Sequence, residues 1–164
     1  MRFIAGSALL LFFALAQTSV LALAPVFGVV PNLVLLTLVA WTFARGLEES
    51  LPLYLVGGLA LGVLQGDPAG LPLVGLALVA VLALVHELRI VHSDLLTALL
   101  VVALGSLAYT ATHLAAHALT GERVTPVDAA LRVLLPGAAV HVAVFPVFFW
   151  TARGLLPARA SGNL

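Results

Sequence analysis

The chain contains no cysteine and no lysine, and charged residues make up only 9% of its 164 positions. Without cysteine there is no disulfide, no thiolate nucleophile and no cysteine-bound metal centre. A soluble domain carries about 25% charged residues, so this chain could not cover a soluble fold with polar groups. Its seven basic and seven acidic residues balance, which excludes the basic surface of a nucleic-acid-binding protein.

Apolar residues make up 63% of the sequence, and the mean hydropathy is +1.21. These values predict an all-α integral membrane protein, with one helical domain over residues 1–164. A spanning helix needs about 20 mainly apolar residues. We predict about six spans, with five as the alternative because the third is short. They are Phe3–Ala24, Val26–Ala44, Leu51–Leu64, Leu71–Glu87, Leu95–Leu119 and Ala129–Ala152.

Polar and turn-forming residues separate the predicted spans. Residues 45–50 are the first plainly polar loop, in which Glu48 and Glu49 are either solvated or the first turn of span 3. Residues 65–70 (Gln-Gly-Asp-Pro-Ala-Gly) predict a tight turn. The start of the chain also resembles a secretory signal peptide, with Arg2, an apolar run and Ala-Leu-Ala at 22–24. Pro25 directly after that cleavage sequence, together with the length of the apolar run, favours a retained span.

The placement of arginine predicts the orientation. With six spans, five arginines fall on one side and two, Arg123 and Arg132, on the other. Basic residues favour the cytoplasmic side, so we predict that both termini are cytoplasmic. The five arginines of the cytoplasmic side are Arg2, Arg45, Arg89, Arg153 and Arg159.

Polar residues inside spans 5 and 6 are candidates for function, because such residues are expensive in lipid. Tyr109, His113 and His117 follow one another at intervals of four and share one helix face, and His141 lies in the middle of span 6. Histidines on two helices can hold a metal or haem. The sequence offers no third strong ligand, which favours hydrogen bonds to a backbone carbonyl or between His113 and His141. We therefore predict no cofactor.

Glycine recurs at positions 58, 62, 66 and 70. Small residues let helix backbones approach closely, so Gly58 and Gly62 predict tight packing within the bundle, with a seat for a partner's helix as the alternative. We expect both positions to accept alanine but no larger residue. A short, glycine-interrupted span that ends at Asp67 and Pro68 is also typical of a small-molecule site. No catalytic motif has the required spacing, so we expect no enzyme.

Three features lie together in residues 31–71. Pro31-Asn32 precedes a leucine-rich run, Arg45-Gly46 precedes an acidic pair, and a glycine-rich span closes with a Gly-Asp-Pro-Ala-Gly turn at 66–70. This segment resembles the rod-shape-determining MreD family of bacteria. One departure is Gly62, where many members carry aspartate. The matched positions to which the resemblance assigns helix packing or partner binding are Pro31, Asn32, Gly58, Gly62, Gly66, Asp67, Pro68 and Gly70.

The resemblance implies a non-enzymatic scaffold in the bacterial cytoplasmic membrane. Members belong to the rod complex, or elongasome, which organises lateral peptidoglycan synthesis and cell shape. They bind MreC, a single-span protein, and act with MreB, RodA and a penicillin-binding transpeptidase. The family fold is thought to be similar to the substrate-binding subunits of energy-coupling-factor vitamin transporters. The alternative function is therefore a small-molecule (vitamin) binding membrane subunit, which would have a closed polar cavity.

Overall fold

The computed structural model describes residues 2–23, 29–67, 70–84, 93–120, 128 and 130–156. Within these ranges the chain forms six α-helices and no β-strand, so the predicted all-α class is confirmed. A 3₁₀ turn, Leu21–Leu23, follows the first helix, and a π-helical turn, Ala130–Leu134, leads into the last. The six helices are α1 (Arg2–Ser19), α2 (Leu33–Arg45), α3 (Leu47–Gln65), α4 (Leu71–Ala83), α5 (Asp94–Leu119) and α6 (Leu135–Leu155).

Successive helices run in opposite directions, so the bundle has two ends. The Gly46 end contains the junction of α2 and α3, and there Arg153 of α6 forms an ion pair with Asp94 at the start of α5. The Asp67 end contains the turn between α3 and α4, and there Asp67 contacts His113 near the end of α5. The charged and polar groups discussed below belong to one end or the other.

Helix α2 is the centre of the bundle. It packs against all five other helices, and eleven of its thirteen residues are buried. An amphipathic stripe would leave one face of α2 polar, whereas this helix is apolar on every side and is enclosed accordingly. The core around it includes Leu36, Leu38 and Phe145, which are fully buried.

The junction of α2 and α3 differs from the polar loop predicted at 45–50. Gly46 alone separates the two helices, with φ of 93° and ψ of 159°. A residue with a Cβ rarely adopts this conformation, so glycine makes the abrupt reversal feasible. Glu48 and Glu49 lie in the first turn of α3, where carboxylates interact favourably with the helix dipole. The structure bears out the alternative interpretation of Glu48 and Glu49 as the first turn of the third span, so only Gly46 remains as a connection.

The turn between α3 and α4 agrees with its prediction. Gly66 ends α3 in the left-handed conformation, with φ of 71°, and Gly70 directly precedes α4. Pro68, the central residue of the predicted turn, lies outside the described residues.

Glycines in α3 and α4 bring neighbouring helices into close contact. A Cβ at Gly58 would lie 2.8 Å from the Cα of Leu73 in α4, and one at Gly57 would lie 2.8 Å from a methyl group of Val34 in α2. Gly62 is also buried on α3. The glycine-rich face is therefore filled by the bundle itself. The expectation that position 58 accepts alanine was wrong, because a methyl group there would meet backbone.

Three helical segments are long and apolar enough to cross a membrane: α3, α5 and residues Leu131–Leu155. Three further helices, α1, α2 and α4, are apolar but shorter. Helix α2 begins at Leu33 rather than at Val26, and α1 ends at Ser19 rather than near Ala24. Among the described residues, the six helices equal the predicted spans in number, but three of them are shorter than a span and several bounds differ.

Candidate functional site

His141 connects three helices at the start of α2. Its Nε2 accepts a hydrogen bond from the backbone N–H of Asn32 at 2.7 Å, and its Nδ1 lies 2.6 Å from the hydroxyl of Ser106 in α5. Because Nε2 is an acceptor, a neutral ring carries its proton on Nδ1 and donates it to Ser106. All three residues are buried.

Two N–H groups in the first turn of α2 donate to side chains of the protein itself. The Asn32 side chain accepts from the N–H of Leu35 at 3.0 Å, and the Gln17 side chain of α1 accepts from the N–H of Val34 at 3.3 Å. A helix N-terminus leaves such donors without intrahelical partners, and a buried one needs replacements. Asn32, Gln17 and His141 supply them, so α2 starts inside the bundle rather than at its surface.

A cavity of about 580 Å³ adjoins this helix start and is open on one side. Its polar lining comes from four helices and from the π-helical turn before α6. π-helical turns frequently occur at functional sites. The polar residues that matter here are Gln17, Asn32, Gln65, Tyr109, Arg132 and His141. The lining is partly polar and partly apolar and the cavity is open, whereas the small-molecule alternative predicts a closed polar cavity.

Tyr109 contributes an unusual group to this cavity. Its side chain is only 9% exposed, and among the described residues its hydroxyl has no partner in hydrogen-bond geometry, although the Asn32 side chain lies beside it. The ring packs directly against Gly75 of α4, because a Cβ added to that glycine would lie only 2.6 Å from a ring carbon of Tyr109. The ring is thus fixed by close packing while its hydroxyl remains unpaired.

The predicted stripe on α5 separates into different environments. The Nδ1 of His113 lies 3.0 Å from the backbone carbonyl of Tyr109, and its Nε2 lies 3.5 Å from a carboxylate oxygen of Asp67. The structure thus brings together three predicted candidates, Tyr109, His113 and Asp67. His117, one turn further along α5, is exposed.

His113 and His141 have separate partners. The carbonyl contact of His113 agrees with the hydrogen-bonding interpretation of the sequence, whereas His141 bonds to a backbone N–H and a serine. Within the described ranges, no group of three histidine, aspartate or glutamate side chains is placed to hold a metal ion.

Two matched positions have roles that the sequence did not specify. Asn32 caps α2 and lines the cavity, and Pro31, which is buried, precedes that cap. Gly70 has open space around it, since a Cβ there would meet nothing within 4 Å. The four glycines spaced by four residues are therefore not equivalent.

Sequence reasoning missed Gln17 and Ser106. Both are buried polar residues in apolar helices, and this is the signal that would have identified them, because such residues need partners in a bundle. The relevant partners lie 17 and 35 residues away in sequence, on other helices.

The Gly46 end has a smaller polar cluster. The Thr42 hydroxyl lies 2.9 Å from that of Ser50 and 3.3 Å from that of Tyr54, and Arg45 pairs with Glu49 at 3.0 Å. Each of these groups has a protein partner. The cluster therefore joins α2 to α3 rather than leaving polar groups available to a ligand.

An apolar groove of about 430 Å³ lies between α1 and α6 on the side of the Gly46 end. Leu9 and Phe13 of α1 form one wall, Phe148 of α6 forms the other, and Ala40 and Trp41 of α2 form the floor. The Trp41 indole N–H is buried and has no acceptor among the described residues. Through this groove, α2 borders on the outside of the bundle at Ala40 and Trp41.

No protein-family model, curated protein or solved structure matches this chain.

Proposed function

We propose that the chain is an integral protein of the bacterial cytoplasmic membrane, with six helices in the bilayer and both termini in the cytoplasm. Large apolar side chains are exposed on α1, α3, α5 and α6, for example Phe12, Val63, Leu96 and Val147. Exposed apolar surface on every side of a bundle suits lipid rather than water. Arg45 and Arg153 share the Gly46 end and Arg132 lies at the opposite end, which supports a cytoplasmic Gly46 end.

The short helix α2 is compatible with this placement. It is about 20 Å long, whereas the hydrocarbon core is about 30 Å thick. Non-helical backbone at membrane depth is tolerated where it is buried in protein or lines a cavity. Residues 31 and 32 meet that condition, because they are buried and Asn32 lines the cavity.

We propose further that the protein is a non-enzymatic scaffold of the rod complex that binds MreC, as the resemblance at residues 31–71 implies. The observation that carries this proposal is the apolar groove whose floor includes Trp41, the indole N–H of which is buried without an acceptor among the described residues. Helices associate in lipid through close packing and interhelical hydrogen bonds. A single membrane helix of MreC that enters the groove would cover the α2 floor and supply an acceptor to Trp41. MreB, RodA and a penicillin-binding transpeptidase would join through the same assembly.

Purification from native membranes in mild detergent, followed by mass spectrometry, tests this proposal. Ala5 lines the groove and is exposed, so Ala5→Phe should fill it without disturbing the core. We expect MreC to be recovered with the wild type and lost with Ala5→Phe. Ala111→Phe is the matched control, because Ala111 is exposed on α5 away from the groove. Rod-shaped cells after clean deletion of the gene, or equal recovery of MreC with both variants, would contradict the scaffold.

The polar cavity at the Asp67 end favours a second candidate, a vitamin-binding subunit of an energy-coupling-factor transporter. Ligand sites in membrane bundles are typically built beside interrupted helices, and α2 starts beside this cavity. The same purification distinguishes the candidates. Recovery of ATP-hydrolysing subunits or a vitamin, without MreC, would replace the scaffold by the transporter subunit.

A further inference from the structure

Two residues that line the cavity at the start of α2 have hydrogen-bond donors that the helix start does not use. The side-chain oxygens of Asn32 and Gln17 accept from the N–H groups of Leu35 and Val34. An amide whose oxygen is used in this way retains its NH₂ group, with two donors. Both residues line the cavity. Each amide therefore uses its oxygen on the start of α2 and keeps its NH₂ group for a further acceptor.

The Tyr109 hydroxyl adds an independent observation. Tyr109 lines the same cavity and its side chain is more than nine-tenths buried, while its hydroxyl, beside the Asn32 side chain, has no partner in hydrogen-bond geometry among the described residues. A buried hydroxyl without a partner destabilises a protein, and in lipid no water compensates for it. Such a group therefore indicates a missing hydrogen-bonding partner in the cavity.

The charge of the described lining is positive. Arg132 is the one charged side chain that the described residues contribute to the cavity, and it is 81% exposed at its mouth. Its pairing with Asp128 at 3.5 Å, also exposed, leaves it free to reorient. Asp67, the carboxylate near Tyr109, does not line the cavity and contacts His113 instead.

The backbone of α2 does not provide an anion cradle by itself. The N–H groups of Asn32, Val34 and Leu35 already donate to protein acceptors. The positive end of the helix dipole still favours negative charge nearby. Direct contacts to a ligand would come from side chains.

We propose that this cavity binds an amphiphilic molecule through an anionic, acceptor-rich group, a phosphate or a carboxylate. Arg132 meets the charge at the mouth, and the Tyr109 hydroxyl and the amide nitrogens of Asn32 and Gln17 donate to its oxygens. The apolar part of the ligand lies against Leu64 and Val133. The inference rests on the cavity that supports the second candidate function, but it requires no transport and holds equally for a scaffold that carries a ligand.

Two probes distinguish the sources of such a group. The purified protein is kept in an uncharged, phosphate-free detergent such as dodecyl maltoside, and its thermal unfolding midpoint is followed as inorganic phosphate is titrated. In parallel, phosphatidylglycerol is added to the detergent, and native mass spectrometry detects retained lipid. A ligand that binds only the folded state raises the midpoint with its concentration. A saturable rise with phosphate identifies a free anion, and a rise with phosphatidylglycerol alone identifies a lipid headgroup.

Four variants tie the effect to the cavity. Arg132→Gln should weaken binding by about tenfold or more, because a charge-assisted hydrogen bond is lost. Tyr109→Phe keeps the packed ring and should weaken binding by about 2–10-fold. Arg153→Gln and Tyr54→Phe alter the same residue types at the Gly46 end, outside the cavity, and should leave binding unchanged.

The proposal is overturned if neither probe raises the midpoint, or if Arg153→Gln weakens binding as much as Arg132→Gln. Recovery of an uncharged ligand from native membranes would also overturn it, while leaving the second candidate function intact. Conversely, anion binding without any ATP-hydrolysing partner would support this inference and count against the transporter.

Discussion

The two ends of the bundle solve the problem of buried polar groups in opposite ways. At the Gly46 end, hydroxyls and charges pair with one another across the α2–α3 junction, and a single residue closes the connection. At the Asp67 end, helix α2 starts inside the bundle, and the residues that satisfy its backbone leave other donors facing a cavity. Polar residues at the Gly46 end hydrogen-bond to one another, whereas polar residues at the Asp67 end also line a cavity.

The largest expected effect comes from His141→Leu, which tests whether the Asp67 end depends on one side chain. The change leaves the N–H of Asn32 and the hydroxyl of Ser106 buried without partners. We expect a loss of about 2–4 kcal/mol in the free energy of unfolding, measured in detergent. Leu119→Ala, at a position that is 89% exposed, should change it by about 0.5 kcal/mol or less. Equal losses would mean that the start of α2 is not held by His141.

Gly58→Ala tests whether α3 and α4 are tightly packed near the turn at the Asp67 end. The new methyl group would lie 2.8 Å from the Cα of Leu73, so the helices must move apart. Overpacking of this kind costs about 1–3 kcal/mol, visible as a lower unfolding midpoint. Gly70→Ala is the control, because a Cβ there meets nothing within 4 Å. An unchanged midpoint for Gly58→Ala would show that α3 and α4 are separated more widely.

Thr42→Val examines the Gly46 end without altering side-chain volume much. It removes the contacts of the Thr42 hydroxyl with Ser50 and Tyr54. The expected loss is about 0.5–1.5 kcal/mol in the free energy of unfolding. Thr151→Val should have less effect, because the exposed Thr151 hydroxyl bonds only to the Val147 carbonyl of its own helix among the described groups. A larger effect for Thr151→Val would reverse the expected order.

The smallest effect belongs to the ion pair of Arg153 and Asp94, which joins α5 to α6 at the Gly46 end. Both side chains are more than 40% exposed, so solvent screens the pair. A double-mutant cycle with Arg153→Gln and Asp94→Asn should give a coupling energy of about 0.2–1 kcal/mol. Raising the salt concentration should reduce it further. A coupling energy several times larger would mean that the pair is shielded from water.

The helices and the α3–α4 turn could be predicted because their signals are local. Apolar runs of the required length mark the spans, and Gly66 and Gly70 mark the turn. The α2–α3 junction could not, since Arg-Gly-Leu-Glu-Glu-Ser has the composition of a loop until Gly46 is known to reverse the chain alone. Helix starts such as Leu33 also depend on distant acceptors rather than on local propensity.

The candidate site was predictable in its residue types but not in its pairings. Tyr109, His113 and His141 were recognised as polar residues in apolar spans. Their partners depend on the rotation and register of one helix against another, which hydropathy does not encode. Ser106 neighbours the predicted stripe in sequence, yet it is this serine, one residue after Gly105, that faces His141.

The one-residue junction at Gly46 has a mechanical consequence. Helix α2 runs from the cavity to Gly46, and α3 returns from Gly46 to the turn at Asp67. The two helices are therefore joined at Gly46 with no loop between them. Packed helices shift as rigid bodies rather than deforming gradually. A displacement of Asn32 along the axis of α2 would therefore also shift the opposite end of that helix, about 20 Å away, where Arg45 and the floor of the apolar groove lie.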